Sequence, residues 1–252
     1  MQSRIAKELK LRYQPVAVIF TDEKPDGALQ YQTGRWGCVI SMLTAAAKGK
    51  TACFDRDTCG CMGGQVGLGF GDAYDQFPGG IENFLSTGKG EGFREGEAYW
   101  KTPELARAFV DRLPITDIPF KYVIFKPLNE VDAALETPQL VVFFVIPDQL
   151  SALVVLANYG RAEDAVTIPM GAACHTICLM PYHQSKQQTP KAVVGSLDIS
   201  ARPYVDPGTV TFTMPFAMFV EMEENVPGSF LEKEAWAKVR ERIPDPLKEE
   251  HR

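Results

Sequence analysis

A chain of 252 residues can bury a substantial core without disulfides, either as one large domain or as two smaller ones fused. A formal net charge of −6, a pI near 5.2 and the lack of any Lys/Arg-rich run argue against nucleic acid as a partner. The longest apolar stretch, 140–157, is interrupted by Pro147-Asp148-Gln149, which excludes a comfortable membrane span, and the apolar run 15–20 is too short for an export signal, so the expected location is the cytoplasm.

After a short amphipathic opening (Ile5, Leu9 and Leu11 against Lys7, Lys10 and Arg12), the β-branched and aromatic run Val16–Phe20 predicts a strand. A helix is predicted over Trp36–Lys48, followed by a short extended piece at Thr51–Phe54 and a turn dense in Gly and Cys over 59–64. Residues 71–96 are rich in glycine and read as a long surface loop, either a lid over a site or an irregular excursion. Thr102-Pro103 opens a helix to Leu113 with a cap and a first-turn proline. Strands are then predicted at Tyr122–Phe125 and Leu140–Ile146, a helix over Gln149–Asn158, and a short strand at Ala165–Ile168. A helix over Ala172–Met180, strands at Val193–Ile199 and Val210–Met214, and a final helix over Ser229–Arg242 complete the order. Alternating strands and helices favour an α/β or α+β fold, a layered sheet with flanking helices.

A weak internal repeat is visible as strand, helix, extended piece, Gly/Cys turn and closing strand. The expected organisation is a single domain, 1–252, built from two related halves, 1–128 and 138–220, with a C-terminal helix at 229–243. Duplication would give a pseudo-twofold axis that brings the two cysteine turns together; the alternative is coincidence in a chain of alternating elements.

Six cysteines in a reducing compartment read first as metal ligands, redox thiols or buried hydrophobes. In extended chain Cys59 and Cys61 point to the same side, about 6.5–7 Å apart at Cα, and can reach one metal or one cluster edge. Cys38 follows Gly37 at a helix start, where free N–H groups favour a thiolate, and Cys174 and Cys178 share a helix face. Cys53 and Cys178 look like packing residues, whereas Cys38, Cys61 and Cys174 each stand at the mouth of a Gly-bearing turn. Gly63, Gly64 and Gly171 mark places where the backbone could approach a cofactor.

No paired C-x₂₋₄-C zinc knuckle, ferredoxin run, thioredoxin C-x-x-C or nucleotide-binding glycine motif is present. Soft thiolates drawn from distant parts of the chain suit an iron–sulfur cluster at least as well as zinc. His175 reads as a fourth ligand, a proton carrier or a hydrogen-bonded histidine near a helix start, and His183 and His251 read as surface residues. Arg202 could fork onto a carboxylate or phosphate, or form a strand-end salt bridge.

The P-V-A-V strand (Pro15 to Val18), Cys38, the turn with Cys61, Gly63, Gly64, Gly67, Leu68 and Gly69, the segment Val141 to Leu150, the turn with Gly171, Ala173 and Cys174, and Ala201-Arg202-Pro203-Tyr204 together resemble domain of unknown function 169, the uncharacterised ArCR proteins. The resemblance covers most of the chain. It implies a prokaryotic cytoplasmic protein in which Cys38, Cys61 and Cys174 match the family's cysteines, and it implies no activity. Here Cys59-Gly60-Cys61 stands where a single cysteine is more typical, so either cysteine can occupy the family position. The leading expectation is a metal or iron–sulfur protein with Cys38, Cys61 and Cys174 as ligands and Cys59 or His175 as the fourth. Its partner would be a small molecule or an electron-transfer protein, and it could form a homo-oligomer. The alternatives are a metal-free thiol redox enzyme or sensor, and a non-catalytic small-ligand binding protein whose cysteines only pack.

Overall fold

A computed structural model describes residues 1–88 and 96–245. In chain order the helices are α1 (Arg4–Glu8), α2 (Val39–Ala47), α3 (Met62–Leu68), α4 (Ile81–Phe84), α5 (Pro103–Val110), α6 (Pro147–Asn158), α7 (Met180–Gln184), α8 (Phe216–Glu224) and α9 (Glu234–Arg242). The strands are β1 (Val16–Thr21), β2 (Ala52–Phe54), β3 (Tyr122–Pro127), β4 (Leu140–Val145), β5 (Val166–Thr167), β6 (Ala192–Gly195) and β7 (Val210–Pro215). They form one seven-stranded mixed sheet in the order β2-β3-β1-β4-β7-β6-β5, antiparallel at every junction except β5–β6. The fold is a layered sheet with flanking helices, as the alternation of elements implied.

The sheet is covered on both faces, which is why its central strands are apolar throughout and do not alternate with polar residues. Along β1 and β4 the side chains still separate by parity. Ala17, Ile19, Val141, Phe143 and Val145 pack on the side that also buries Ile5 of α1, Leu153 of α6, Phe219 of α8 and Trp236 of α9. Val16, Val18, Phe20, Val142 and Phe144 pack on the other side with Ile40 and Leu43 of α2, Leu68 of α3 and Ile177. Register between β4 and β7 runs from Leu140 opposite Pro215 to Val145 opposite Val210. Outward from the central β1–β4 pair, β3 lies next to β1 and β7 next to β4.

Local chemistry sets several boundaries. The Thr102 hydroxyl accepts from the Leu105 N–H and Pro103 takes the first turn of α5, as the sequence implied. Gln149 reaches back to accept the Ile146 N–H at 3.0 Å and donates to the Leu9 carbonyl at 3.0 Å, tying α6 to the α1 end. The predicted 36–48 helix begins only at Val39, with Cys38 as its cap. The strand predicted to reach Ile199 stops at Gly195, because Ser196 turns left-handed with φ 56°. The segment predicted as one helix from Ala172 is a π-helix over His175–Leu179 that runs into α7.

Two expectations need correction. The Gly/Cys turn does not remain a turn after Cys61: residues 62–68 form α3 despite three glycines. The segment 71–96 is not a structureless excursion either, since it holds a 3₁₀ turn (Ala73–Gln76) and α4, and it packs Tyr74 and Ile81 against Val66, Val110 and Leu179. Residues 89–95 of that predicted loop, and His251, lie outside the described residues.

Candidate functional site

Three of the six cysteines are brought to one place by three helix starts. Cys38 caps α2, and its thiol faces the backbone N–H groups of Ile40 and Ser41. Its carbonyl accepts from the Tyr31 hydroxyl at 3.0 Å and the Ser41 hydroxyl at 2.8 Å, which fixes the turn into the helix. Cys61 caps α3, its sulfur facing the N–H groups of Gly63 and Gly64 and the indole of Trp36, a side chain 64% exposed. Cys174 stands at the start of the π-helix and donates its S–H to the Gly63 carbonyl at 3.0 Å. The two cysteine turns, more than a hundred residues apart in the chain, therefore touch.

The glycines of α3 explain how. A Cβ on Gly67 would lie 2.6 Å from Cys174 Cβ and 2.8 Å from its carbonyl carbon, so α3 and the π-helix approach at backbone distance only because residue 67 has no side chain. A Cβ on Gly64 would lie 2.8 Å from Val39 Cγ2 and 3.1 Å from Cys59 Sγ. Each glycine costs a helix interior about 1 kcal/mol relative to alanine, and tertiary packing overrides that preference here.

Cys38, Cys61, Gly63, Gly64 and Cys174 line a cavity of about 520 Å³. Its remaining wall is largely apolar, with Trp36, Phe77, Ile81 and Phe84 among its residues, and carries Tyr74, Glu97 and Asp198 as polar groups. Burial pushes the Cys38 and Cys61 thiols above the ordinary thiol range against the opposing pull of backbone N–H groups. Cys174 is raised further, first by burial and then by the neighbouring Cys61 and Cys59. Without a metal these are protonated thiols at neutral pH.

The other cysteines lie elsewhere. Cys59 is buried beneath α3 in the core and is not on the cavity wall; burial, then the nearby Cys61, pushes its thiol up to about 12. Cys53 and Cys178 are core residues, as their sequence context implied. Among the described residues no group of three or more His, Cys, Asp or Glu side chains is arranged to hold a metal ion.

His175 is fully buried beside Cys174 but borders a separate small cavity of about 30 Å³, together with Gly171, Tyr74, Tyr99, Glu97 and Asp198. Neither His175 nor Gly171 is on the wall of the larger cavity. The imidazole Nε2 lies 2.9 Å from the Tyr74 hydroxyl, Nδ1 has no partner among the described residues, and burial lowers the ring's pKa to about 4. Among the described residues Arg202 forms no strand-end salt bridge: its guanidinium donates to the carbonyls of Ser196, Thr209 and Asp206, stitching the loop before β7. His183 is exposed, as expected.

Tyr74, Glu97 and Asp198 were not singled out by sequence reasoning. Asp198 caps a 3₁₀ turn and accepts from the Tyr99 hydroxyl at 3.0 Å, from Ser200, and from the Ala173 N–H. Glu97 is pushed up to about 7, first by burial and then by the Asp198 charge, with the Ser200 hydroxyl opposing. Neither acid sits in a periodic pattern or a motif, so no sequence signal marked them.

A family model described as Uncharacterised ArCR, domain of unknown function 169, matches residues 4–225. No curated protein and no solved structure matches the chain. Among the described residues no helix is long and apolar enough to cross a membrane.

Proposed function

The chain belongs to the family of uncharacterised ArCR proteins, and from the cavity described above we propose that it holds an iron–sulfur cluster on Cys38, Cys61 and Cys174, with one coordination position left to a small molecule or to electron transfer. The observation that carries this reading is the convergence of those three thiols, from distant parts of the chain, on one mostly apolar cavity. In a four-iron cluster each thiolate meets a different iron atom, so the thiolates stand further apart than the ligands of a single ion. Three thiols carried by different elements onto one cavity wall suit such a site.

The surroundings of the sulfurs support the same reading. Cys38 and Cys61 each face two backbone N–H groups, and Cys61 also the Trp36 indole, donors of the kind that stabilise cluster sulfurs and tune their potential. A metal deprotonates its thiols on binding, which disposes of the protons that burial otherwise keeps on them. A metal-free nucleophilic thiol, by contrast, needs a depressed pKa, and all six cysteines are shifted upward. The bound cluster would supply electron transfer or an open Lewis-acid iron. The chain itself would hold it with three thiolates, border it with a mostly apolar wall, and present Tyr74, Glu97 and Asp198 to whatever lies beside it.

The test is iron and acid-labile sulfide analysis with an absorption spectrum on protein purified without oxygen. Matching iron and sulfide, lost in Cys38→Ser, Cys61→Ser and Cys174→Ser but kept in Cys53→Ala, is the expected result. Stoichiometric zinc would replace the cluster with a structural or hydrolytic ion. No metal of any kind would sink the reading and turn attention to thiol chemistry and then to packing.

A further inference from the structure

Among the described residues the wall of the cysteine cavity carries charge of one sign only. Among the described residues Glu97 and Asp198 are its charged side chains, and neither has a Lys or Arg within ion-pair distance. Asp198 is largely occupied by Tyr99, Ser200 and the Ala173 N–H, whereas Glu97 has the Ser200 hydroxyl for company. A partly desolvated carboxylate beside a second one is unfavourable unless a cation joins them. The neighbouring small cavity, bordered by the same two acids, adds the buried Nδ1 of His175, another polar atom without a partner among the described residues. Its volume of about 30 Å³ is enough for one water or one polar ligand group.

The rest of the wall is built for the opposite kind of contact. Phe77 lies against Phe84 with ring centroids 5.2 Å apart and against Tyr74 at 6.4 Å, giving a continuous aromatic surface extended by Ile81 and Leu85. Aromatic faces also attract cations. The cavity volume of about 520 Å³ falls within the range of small-ligand sites.

We propose that this cavity takes a small amine with an apolar body, its ammonium group held at Glu97 and Asp198 and its body against the Phe77–Phe84 pair. The inference deepens the proposed function and rests on the cavity being a ligand site, not on which metal the thiols hold. Charge complementarity selects the amine over neutral and anionic molecules of the same shape, because only the amine brings a positive charge to two acids that have none beside them among the described residues.

The test is calorimetric titration of benzylamine, phenethylamine and isopentylamine, each beside the alcohol and the carboxylate of the same shape. It is run at about pH 8, where Glu97 is ionised and the amines are protonated. Protein purified without oxygen and its Cys38→Ser variant are both titrated. At least one amine is expected to bind about tenfold or more tightly than its two analogues, a preference that falls to within about threefold in Glu97→Gln and in Glu97→Ala. Equal affinity for the three chemistries, a preference unchanged in both variants, or no amine binding up to about 10 mM overturns the inference. Iron and sulfide counted on the same samples separate the two proposals. Amine preference without iron leaves this one standing and removes the cluster, and iron without amine preference does the reverse.

Discussion

The two faces of the sheet are built under different rules. On the face carrying α1, α6, α8 and α9, large apolar side chains such as Phe143, Leu153 and Phe212 are fully enclosed, and Gln149 finds partners, although the buried Trp236 indole N–H has none among the described residues. On the face carrying α2, α3 and the π-helix, a short helix contains three glycines, a fully buried imidazole leaves one nitrogen unpartnered among the described residues, and a carboxylic acid titrates near 7. Departures from local rules gather where the three thiols meet, and such concentrations mark functional sites more often than packing errors. The first face holds the fold and the second tolerates losses for the sake of the cavity.

The sharpest way to break this contrast is to damage the first face. Phe143→Ala, at a position with no solvent exposure, should cost about 3–5 kcal/mol of stability by urea unfolding while the folded fraction still carries its full iron and sulfide. Loss of iron in proportion to folded protein would show that the faces are not separable. Gly67→Ala should cost about 1–3 kcal/mol, since the new methyl meets Cys174 backbone and Cβ at less than 3 Å, and should also lower iron retention. Stability lost without loss of iron would mean that the close approach of α3 to the π-helix serves packing alone.

Tyr74→Phe removes the hydroxyl that meets His175 Nε2 and should cost about 1–2 kcal/mol, seen as a lower urea midpoint at unchanged slope. The smallest effect expected is at Glu97. Its folded pKa near 7 lies above the unfolded value, so the folded state holds a proton that the unfolded state releases. Stability is therefore unaffected at and below about pH 4, falls as pH rises between the two values, and stays reduced above 7. With solvent screening at this partly buried site, Glu97→Gln should gain only about 1 kcal/mol at pH 8 and nothing at pH 4. An equal gain at both values would show that burial of the charge is not its cause.

How much of this was legible in the sequence follows the same division. The strand Leu140–Val145 and the capped start of α5 were readable because burial on both faces leaves an unbroken apolar run and a Thr-Pro pair punctuates the chain. The three thiols were legible as types beside glycine, and their meeting was an expectation tied to a possible duplication. α3 was not legible: Gly63, Gly64 and Gly67 argue against a helix locally, and only the distant contact with Cys174 explains why a helix forms. Tyr74 and Glu97 were hidden for a related reason, since a glycine-rich stretch carries no periodicity to say which side chains turn inward. Asp198 reaches the cavity through a 3₁₀ turn that the expectation of a longer strand had obscured.

The sheet ends on its two shortest strands, three residues in β2 and two in β5. At β2 the backbone of Leu29 adds a partial cover, accepting from the Cys53 N–H and donating to the Thr51 carbonyl, each at 2.8 Å. A long, flat border of unsatisfied backbone groups is what lets one molecule's sheet extend into the next, and this molecule offers too little of it for a stranger's strand to grip. Self-association by sheet extension, including the open-ended kind that leads to fibres, is thereby discouraged at both borders.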